Sequence, residues 1–172
     1  MVRAMFPGTF DPIHHGHIDI AVRATQIFDE VIMAVYDRPL KTLMFDPDER
    51  MALVHEAFKD TPGIKVMGYS GLTMDFARKM QAKVIVRGLR VFSDFEFEFR
   101  MALANQRIAA DIETVALITA EQHTFLSSST VKEIATLGGD VSSMVPPFVN
   151  KALRSKVTSL GDQHSPPNAL RD

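Results

Sequence analysis

Val2-Arg3-Ala4-Met5-Phe6-Pro7-Gly8-Thr9-Phe10-Asp11-Pro12-Ile13-His14-His15-Gly16-His17 begins as a short apolar run and turns into a connection bearing glycine and histidine. Val2 to Phe6 reads as a strand ended by Pro7-Gly8. Ile18, Ala21, Val22, Ala24 and Ile27-Phe28 then recur at helical spacing. A strand feeding a helix in this way is the opening unit of an α/β domain. In open sheets of that kind, ligands bind beyond the carboxyl ends of the strands. A helix starting there offers unpaired backbone N–H groups and a partial positive charge. Gly8 and Gly16 let backbone come close to a ligand, and His14 and His17 share a face once the helix has begun. Two imidazoles and open amides suit a polyphosphate. Clustered histidines are also compatible with a plain surface turn. His-x-x-His can ligate a metal, but no carboxylate pair is evidently placed to complete such a site.

Farther along, strand-like and helix-like stretches keep alternating. Val31 to Tyr36, Ile64 to Tyr69, Val84-Ile85-Val86 and Val115-Ala116-Leu117-Ile118 read as strands, the last two suiting strands covered on both faces. Asp46-Pro47-Asp48-Glu49 has a capping residue, a proline for the first helical position and a capping-box glutamate. Leu72 to Met80 is a further helix. Asp94-Phe95-Glu96-Phe97-Glu98-Phe99 alternates with period two, as a strand does. A helix instead aligns Phe92, Phe95, Phe99 and Leu103, leaves Phe97 off that face, and runs into Met101-Ala102-Leu103-Ala104; helix is the reading adopted. Thr130 with Glu133 forms a capping-box pair opening a helix that Gly138-Gly139 ends, and Pro146-Pro147 starts a last helix to about Val157. The expectation is an α/β, doubly wound, Rossmann-like parallel sheet of about five strands with helices on both faces, over residues 1–157. Residues 158–172 are polar and read as a disordered tail.

Bulk composition excludes more than it proposes. The 172 residues carry a net charge of −2, so there is no compositional case for a nucleic-acid or membrane surface. There is no cysteine, which removes disulfides, thiolate metal sites and cysteine nucleophiles. No stretch resembles a signal peptide or membrane span, so a cytoplasmic protein is expected.

Two more stretches carry chemistry. Arg87-Gly88-Leu89-Arg90 follows the Val84 to Val86 strand, on the same rim as the histidine loop, and two guanidiniums can fork onto phosphate oxygens. The plain alternative is strand-end arginines in solvent. Ser127-Ser128-Ser129-Thr130 precedes a capped helix and makes a second anion cradle or a simple cap. No Gly-x-Ser-x-Gly elbow surrounds these serines, which argues against a nucleophile. Lys41 by itself is a surface lysine.

His14-x-Gly16-His17 after an initial strand resembles the (Thr/His)-x-Gly-His signature of the nucleotidyltransferase superfamily. Pro7-Gly8-Thr9-Phe10-Asp11-Pro12 is more specific and resembles the opening of phosphopantetheine adenylyltransferases. The likeness continues in order through Lys41, Met44-Phe45, Glu49-Arg50, Arg87-Gly88-Leu89-Arg90, Asp94-Phe95-Glu96, Ser127-Ser128-Ser129 and Val131-Lys132-Glu133, covering residues 2–157.

The resemblance implies transfer of AMP from ATP to 4′-phosphopantetheine, giving dephospho-coenzyme A and pyrophosphate. It implies that His17 stabilises the transition state and that Lys41 and Arg87 grip the acceptor phosphate, the three forming the catalytic set. Thr9 holds both substrates. ATP is met by Thr9, Phe10, His17, Gly88, Leu89, Arg90, Glu98 and the run His123, Thr124, Phe125, Leu126, Ser127, Ser128, Ser129, while Thr73 lines the pantetheine channel. It further implies Mg²⁺ held mainly by the ATP phosphates, a homohexamer, and coenzyme A as an inhibitor. Phe6, Phe97, Arg100 and His123 stand where tyrosine, tyrosine, glutamine and tryptophan are usual, so adenine contacts and regulation are where differences are expected. The alternatives are a nicotinamide mononucleotide adenylyltransferase or cytidylyltransferase of the same fold, or a non-catalytic nucleotide-binding module.

Overall fold

The computed structural model describes residues 1–39 and 42–163. Strands β1 (Arg3–Gly8), β2 (Glu30–Tyr36), β3 (Ile64–Tyr69), β4 (Val84–Leu89) and β5 (Glu113–Ile118) form one sheet in the order β3-β2-β1-β4-β5. Every pairing is parallel. The helices are α1 (His15–Ala24), α2 (Pro47–Phe58), α3 (Thr73–Lys79), α4 (Phe92–Ile108), α5 (Ser128–Thr136) and α6 (Pro147–Gln163), with a short 3₁₀ turn at Glu121–His123. The doubly wound arrangement is the one expected.

Alternation along the strands splits the core in two. Ala4, Phe6, Val31, Met33, Val35, Val84 and Val86 face one side, where residues of α1, α2, α5 and α6 cover them. Met5, Ile32, Ala34 and Ile85 face the other, against Met74 and Ala77 of α3 and Ala109 just after α4. Each central strand is therefore apolar on both faces, which explains the unbroken runs at Val31 and Val84.

Several boundaries differ from expectation. β1 does not stop at Pro7-Gly8: Pro7 and Gly8 stay in register with Ala34 and Val35 of β2. A proline is tolerated because pairing of β1 with β4 covers only Ala4 and Met5. Beyond Met5 the two strands part, and Arg87 Nη1 donates to the Pro7 carbonyl across the gap at 2.9 Å. β4 likewise runs on through Arg87, Gly88 and Leu89, paired with Ala116, Leu117 and Ile118. β5 is an edge strand rather than one covered on both faces, with Ile118 74% exposed.

The Asp46-Pro47-Glu49 cap forms as read, with both halves of the box at 2.8 Å. The cap of α5 is displaced: Ser127, not Thr130, sits at the end and its Oγ accepts the Thr130 N–H at 3.0 Å. An upstream hydroxyl at the right spacing takes the role first and leaves Thr130 inside the first turn. Gly138, at φ 80°, follows the end of that helix as expected. α6 continues to Gln163, past the expected end near Val157. The rest of the expected tail, residues 164–172, lies outside the described residues.

Candidate active site

The neighbours of β1 lead off in opposite directions, toward β2-β3 and toward β4-β5, so the gap between β1 and β4 is the topological switch point. A cavity of about 610 Å³ opens there. Its walls come from the end of β1 (Gly8, Thr9), the start of α1 (Gly16, His17), the end of β4 (Arg87, Gly88) and the start of α5 (Ser127, Ser128, Ser129). The histidine loop and the Arg87–Arg90 turn thus open on the same side of the molecule.

The histidine loop is tightly built. Phe10 sits at φ 50° and folds its ring inward, where it is 2% exposed. A Cβ on Gly8 would lie 2.8 Å from that ring, and one on Gly16 would lie 3.1 Å from the His14 ring. The glycines therefore admit side chains of the loop itself, a use not foreseen in the sequence. His14 caps α1 and its N–H donates to His17 Nδ1 at 3.3 Å; the two rings stack at 3.6 Å. With Nδ1 engaged as acceptor, the proton of a neutral His17 resides on Nε2. Phe10 meets the His17 ring edge-on at 5.0 Å. Burial, then the charge of Arg90, lowers the pKa of His14 to about 3, so this imidazole is neutral at physiological pH.

Opposite stand the two arginines. Arg87 makes a bidentate pair with Glu98, at 2.7 and 2.6 Å. Arg90 pairs through Nε and Nη2 with Asp94, at 2.8 and 3.0 Å, and its Nη1 donates to the Leu126 carbonyl at 2.5 Å. Burial raises the Asp94 carboxyl, but Arg90 outweighs it and leaves the pKa lowered. Both guanidiniums are consequently fixed in direction by α4. Ser127 caps α5, and Ser128 Oγ donates to the Pro12 carbonyl at 2.9 Å, tying that helix start to the histidine loop.

Of the residues singled out from sequence, Thr9, Phe10, His17, Thr73, Arg87, Gly88, Arg90, Glu98, Ser127, Ser128 and Ser129 line this one cavity. Leu89, His123, Thr124, Phe125 and Leu126 are not among its lining residues; Leu126 is buried, whereas Phe125 is exposed. Lys41 lies outside the described residues. Tyr36, Tyr69, Met101 and Asn105 also line the cavity and were not anticipated. The two tyrosines end β2 and β3, and their rings lie 5.1 Å apart. The rule that ligands sit beyond strand carboxyl ends could have found them. Among the described residues there is no group of three or more His, Asp or Glu able to hold a metal.

A parallel sheet with a histidine-lined helix start, forked arginines and a serine cradle at its switch point defines a nucleotidyltransferase-type site. The chain matches the Cytidylyltransferase-like family over residues 5–134. A solved structure from Vibrio parahaemolyticus, named as a candidate nicotinate-nucleotide adenylyltransferase, shares the fold with a TM-score of 0.68, at 23% identity over 90% of this chain and 99% of that one. Phosphopantetheine adenylyltransferase of Roseiflexus castenholzii is 54% identical over 90% of this chain and 96% of its own length. That of Methylococcus capsulatus is 50% identical over 93% and 99%. That of Desulfitobacterium hafniense is 48% identical over 89% and 94%. Within the wider class, the chain belongs to the phosphopantetheine adenylyltransferases.

Proposed function

We propose that this enzyme transfers the adenylyl group of ATP to 4′-phosphopantetheine, forming dephospho-coenzyme A and pyrophosphate in coenzyme A biosynthesis. The observation that carries the proposal is the meeting of His17, Arg87, Arg90 and the Ser127–Ser129 run around one cavity at the switch point, in a chain about half identical to enzymes of that name.

The acceptor is a phosphate, already anionic at neutral pH, so no strong base is needed. The barrier is electrostatic: one anion attacks another while charge grows on the α-phosphate oxygens and on departing pyrophosphate. Fixed cations and N–H groups lower it without covalent catalysis. In this reading the ATP phosphates lie along the start of α1 and the α5 cradle, with Arg90, Gly88 and Leu89 beside the nucleotide. His17 Nε2–H meets the α-phosphate. Thr9, Lys41 and Arg87 hold the acceptor phosphate, and its pantetheine arm runs toward Thr73, Tyr36 and Tyr69. An acceptor oxygen attacks the α-phosphorus and the bond to the β-phosphate oxygen breaks in line. Mg²⁺ brought by ATP would supply charge neutralisation at the phosphates. The cavity carboxylates Asp94 and Glu98 are each engaged by an arginine, which fits a metal held by phosphates rather than by the protein.

The enzyme acts in the cytoplasm, where ATP is available. Coenzyme A carries the same pantetheine arm and competes for its channel. Phe92, Phe95, Phe99 and Leu103 form an exposed apolar stripe along α4, with the phenyl rings stacked at 6.2 and 5.7 Å. Such a stripe is suited to burial against further copies of the chain, in line with a homohexamer. Light scattering should give the mass of six chains; a monomer would contradict it.

Substrate choice is tested by pyrophosphate release across acceptors and nucleotides. Release is expected with ATP plus 4′-phosphopantetheine. Release instead with nicotinamide mononucleotide, or only with CTP, would move the enzyme elsewhere in its superfamily, and binding of ATP without turnover would make it a non-catalytic module.

A further inference from the structure

Arg50, on the first turn of α2, is fully buried, with 0% of its surface exposed. An arginine is rarely taken wholly out of water unless its donors are all satisfied. Here they are satisfied almost entirely by backbone. Nη1 donates to the carbonyls of Thr9 at 2.9 Å and Tyr36 at 2.6 Å. Nη2 donates to Asp37 at 3.1 Å and Nε to Phe45 at 3.3 Å. Tyr36 and Asp37 are where the chain leaves β2, and Phe45 is where it arrives at α2. One planar group therefore closes both feet of the β2–α2 connection and ties them to Thr9 at the end of β1. Asp11, 1% exposed, grips the same foot from the other side: its carboxylate accepts the N–H groups of Met44 and Phe45 at 3.1 and 2.9 Å and the Lys132 ammonium at 2.5 Å.

We infer that Arg50 is a positioning residue for the acceptor half of the reaction, setting the distance between Thr9 and the two feet of the β2–α2 connection, at Tyr36–Asp37 and Phe45. This rests on the proposed transfer reaction. Arg50 touches neither reactant in this arrangement; it acts through the Thr9 carbonyl and the connection it closes. In the proposed arrangement the ATP phosphates lie mainly along the start of α1 and α5, to neither of which Arg50 hydrogen-bonds, so ATP is reached only through Thr9. A compact ammonium cannot reproduce four donor directions fixed in one plane. Misplacement of a reacting group by about 1 Å costs on the order of 10²-fold in rate.

The test is steady-state kinetics of Arg50→Lys and Arg50→Met, with ATP affinity measured separately by calorimetry. Val54→Ala serves as control: it truncates a buried core side chain one turn along the same helix, one with no donor to offer these carbonyls. Both Arg50 variants are expected to raise the acceptor KM by about tenfold or more and to lower kcat, with ATP affinity changed much less, since ATP keeps its α1 and α5 contacts. Val54→Ala is expected to lower the melting temperature while leaving both KM values alone. Unaltered KM values in Arg50→Lys, or losses that only track stability as in Val54→Ala, would overturn the inference. Should the Arg50 variants not fold, Asp11→Asn carries the acceptor part of the prediction, since it loosens the same foot; because it also loses the Lys132 pair to α5, only its acceptor KM is read, and an unaltered acceptor KM would overturn the inference. A wild-type enzyme inactive on 4′-phosphopantetheine would instead sink the proposed reaction.

Discussion

His17→Ala lowers kcat by about 10²–10³-fold, the usual loss when one preorganised donor is removed from a developing oxyanion. ATP affinity, measured by calorimetry, changes little. The reason is geometric. His17 is braced by the His14 N–H on Nδ1, by the stacked His14 ring and by Phe10 edge-on. It is aimed in advance, so its contribution appears where α-phosphate charge grows rather than where ATP first binds. In the proposed arrangement the triphosphate in the ground state still has the amides of α1, the α5 cradle and Arg90. A variant with near-normal kcat would remove His17 from the transition state. Lost ATP affinity with unchanged kcat would make it a binding group only.

Arg87→Ala raises the KM for 4′-phosphopantetheine by about 10–10²-fold, corresponding to the ~1.5–3 kcal/mol of a hydrogen bond to a charged group. The loss has two parts. In the proposed arrangement a cation facing the acceptor phosphate disappears, and Glu98, previously neutralised by a bidentate pair, is left as an uncompensated anion in the same cavity. Adding Glu98→Gln to Arg87→Ala should therefore recover part of the acceptor affinity. Initial rates with each substrate varied in turn check both statements. A fall in ATP affinity with the acceptor unaffected would exchange the roles of Arg87 and Arg90.

Much of this was legible before any coordinates, for identifiable reasons. Asp46-Pro47-Glu49 is a local signal, and its cap forms as written even though Lys156 of α6 also engages the Glu49 carboxylate. The histidine loop and Arg87 could be placed on one rim because both follow parallel strands, and parallel strands share a carboxyl edge. What escaped depended on partners distant in sequence. Pro7 continues a strand only because β4 has already parted from β1. Val115 to Ile118 reads like Val84 to Val86, yet one run lies at the sheet edge and the other inside it, and nothing local distinguishes them. Phe97 left the phenyl stripe in the helical reading, but only the packing of α4 shows that it lines the cavity, itself still exposed, while Phe92, Phe95 and Phe99 do not. Arg50 was visible only as part of a family string. Its burial comes from four carbonyls on three segments, a convergence that no periodicity encodes.

The central claim is that one edge of the sheet holds two phosphate-bearing reactants in line. The most direct check is pyrophosphate release from ATP with 4′-phosphopantetheine, run beside pantetheine lacking the phosphate. Pyrophosphate and dephospho-coenzyme A should form together, one for one, and only with the phosphorylated acceptor. Equal release with pantetheine, or enzyme that retains covalent AMP after incubation with ATP alone, would contradict it.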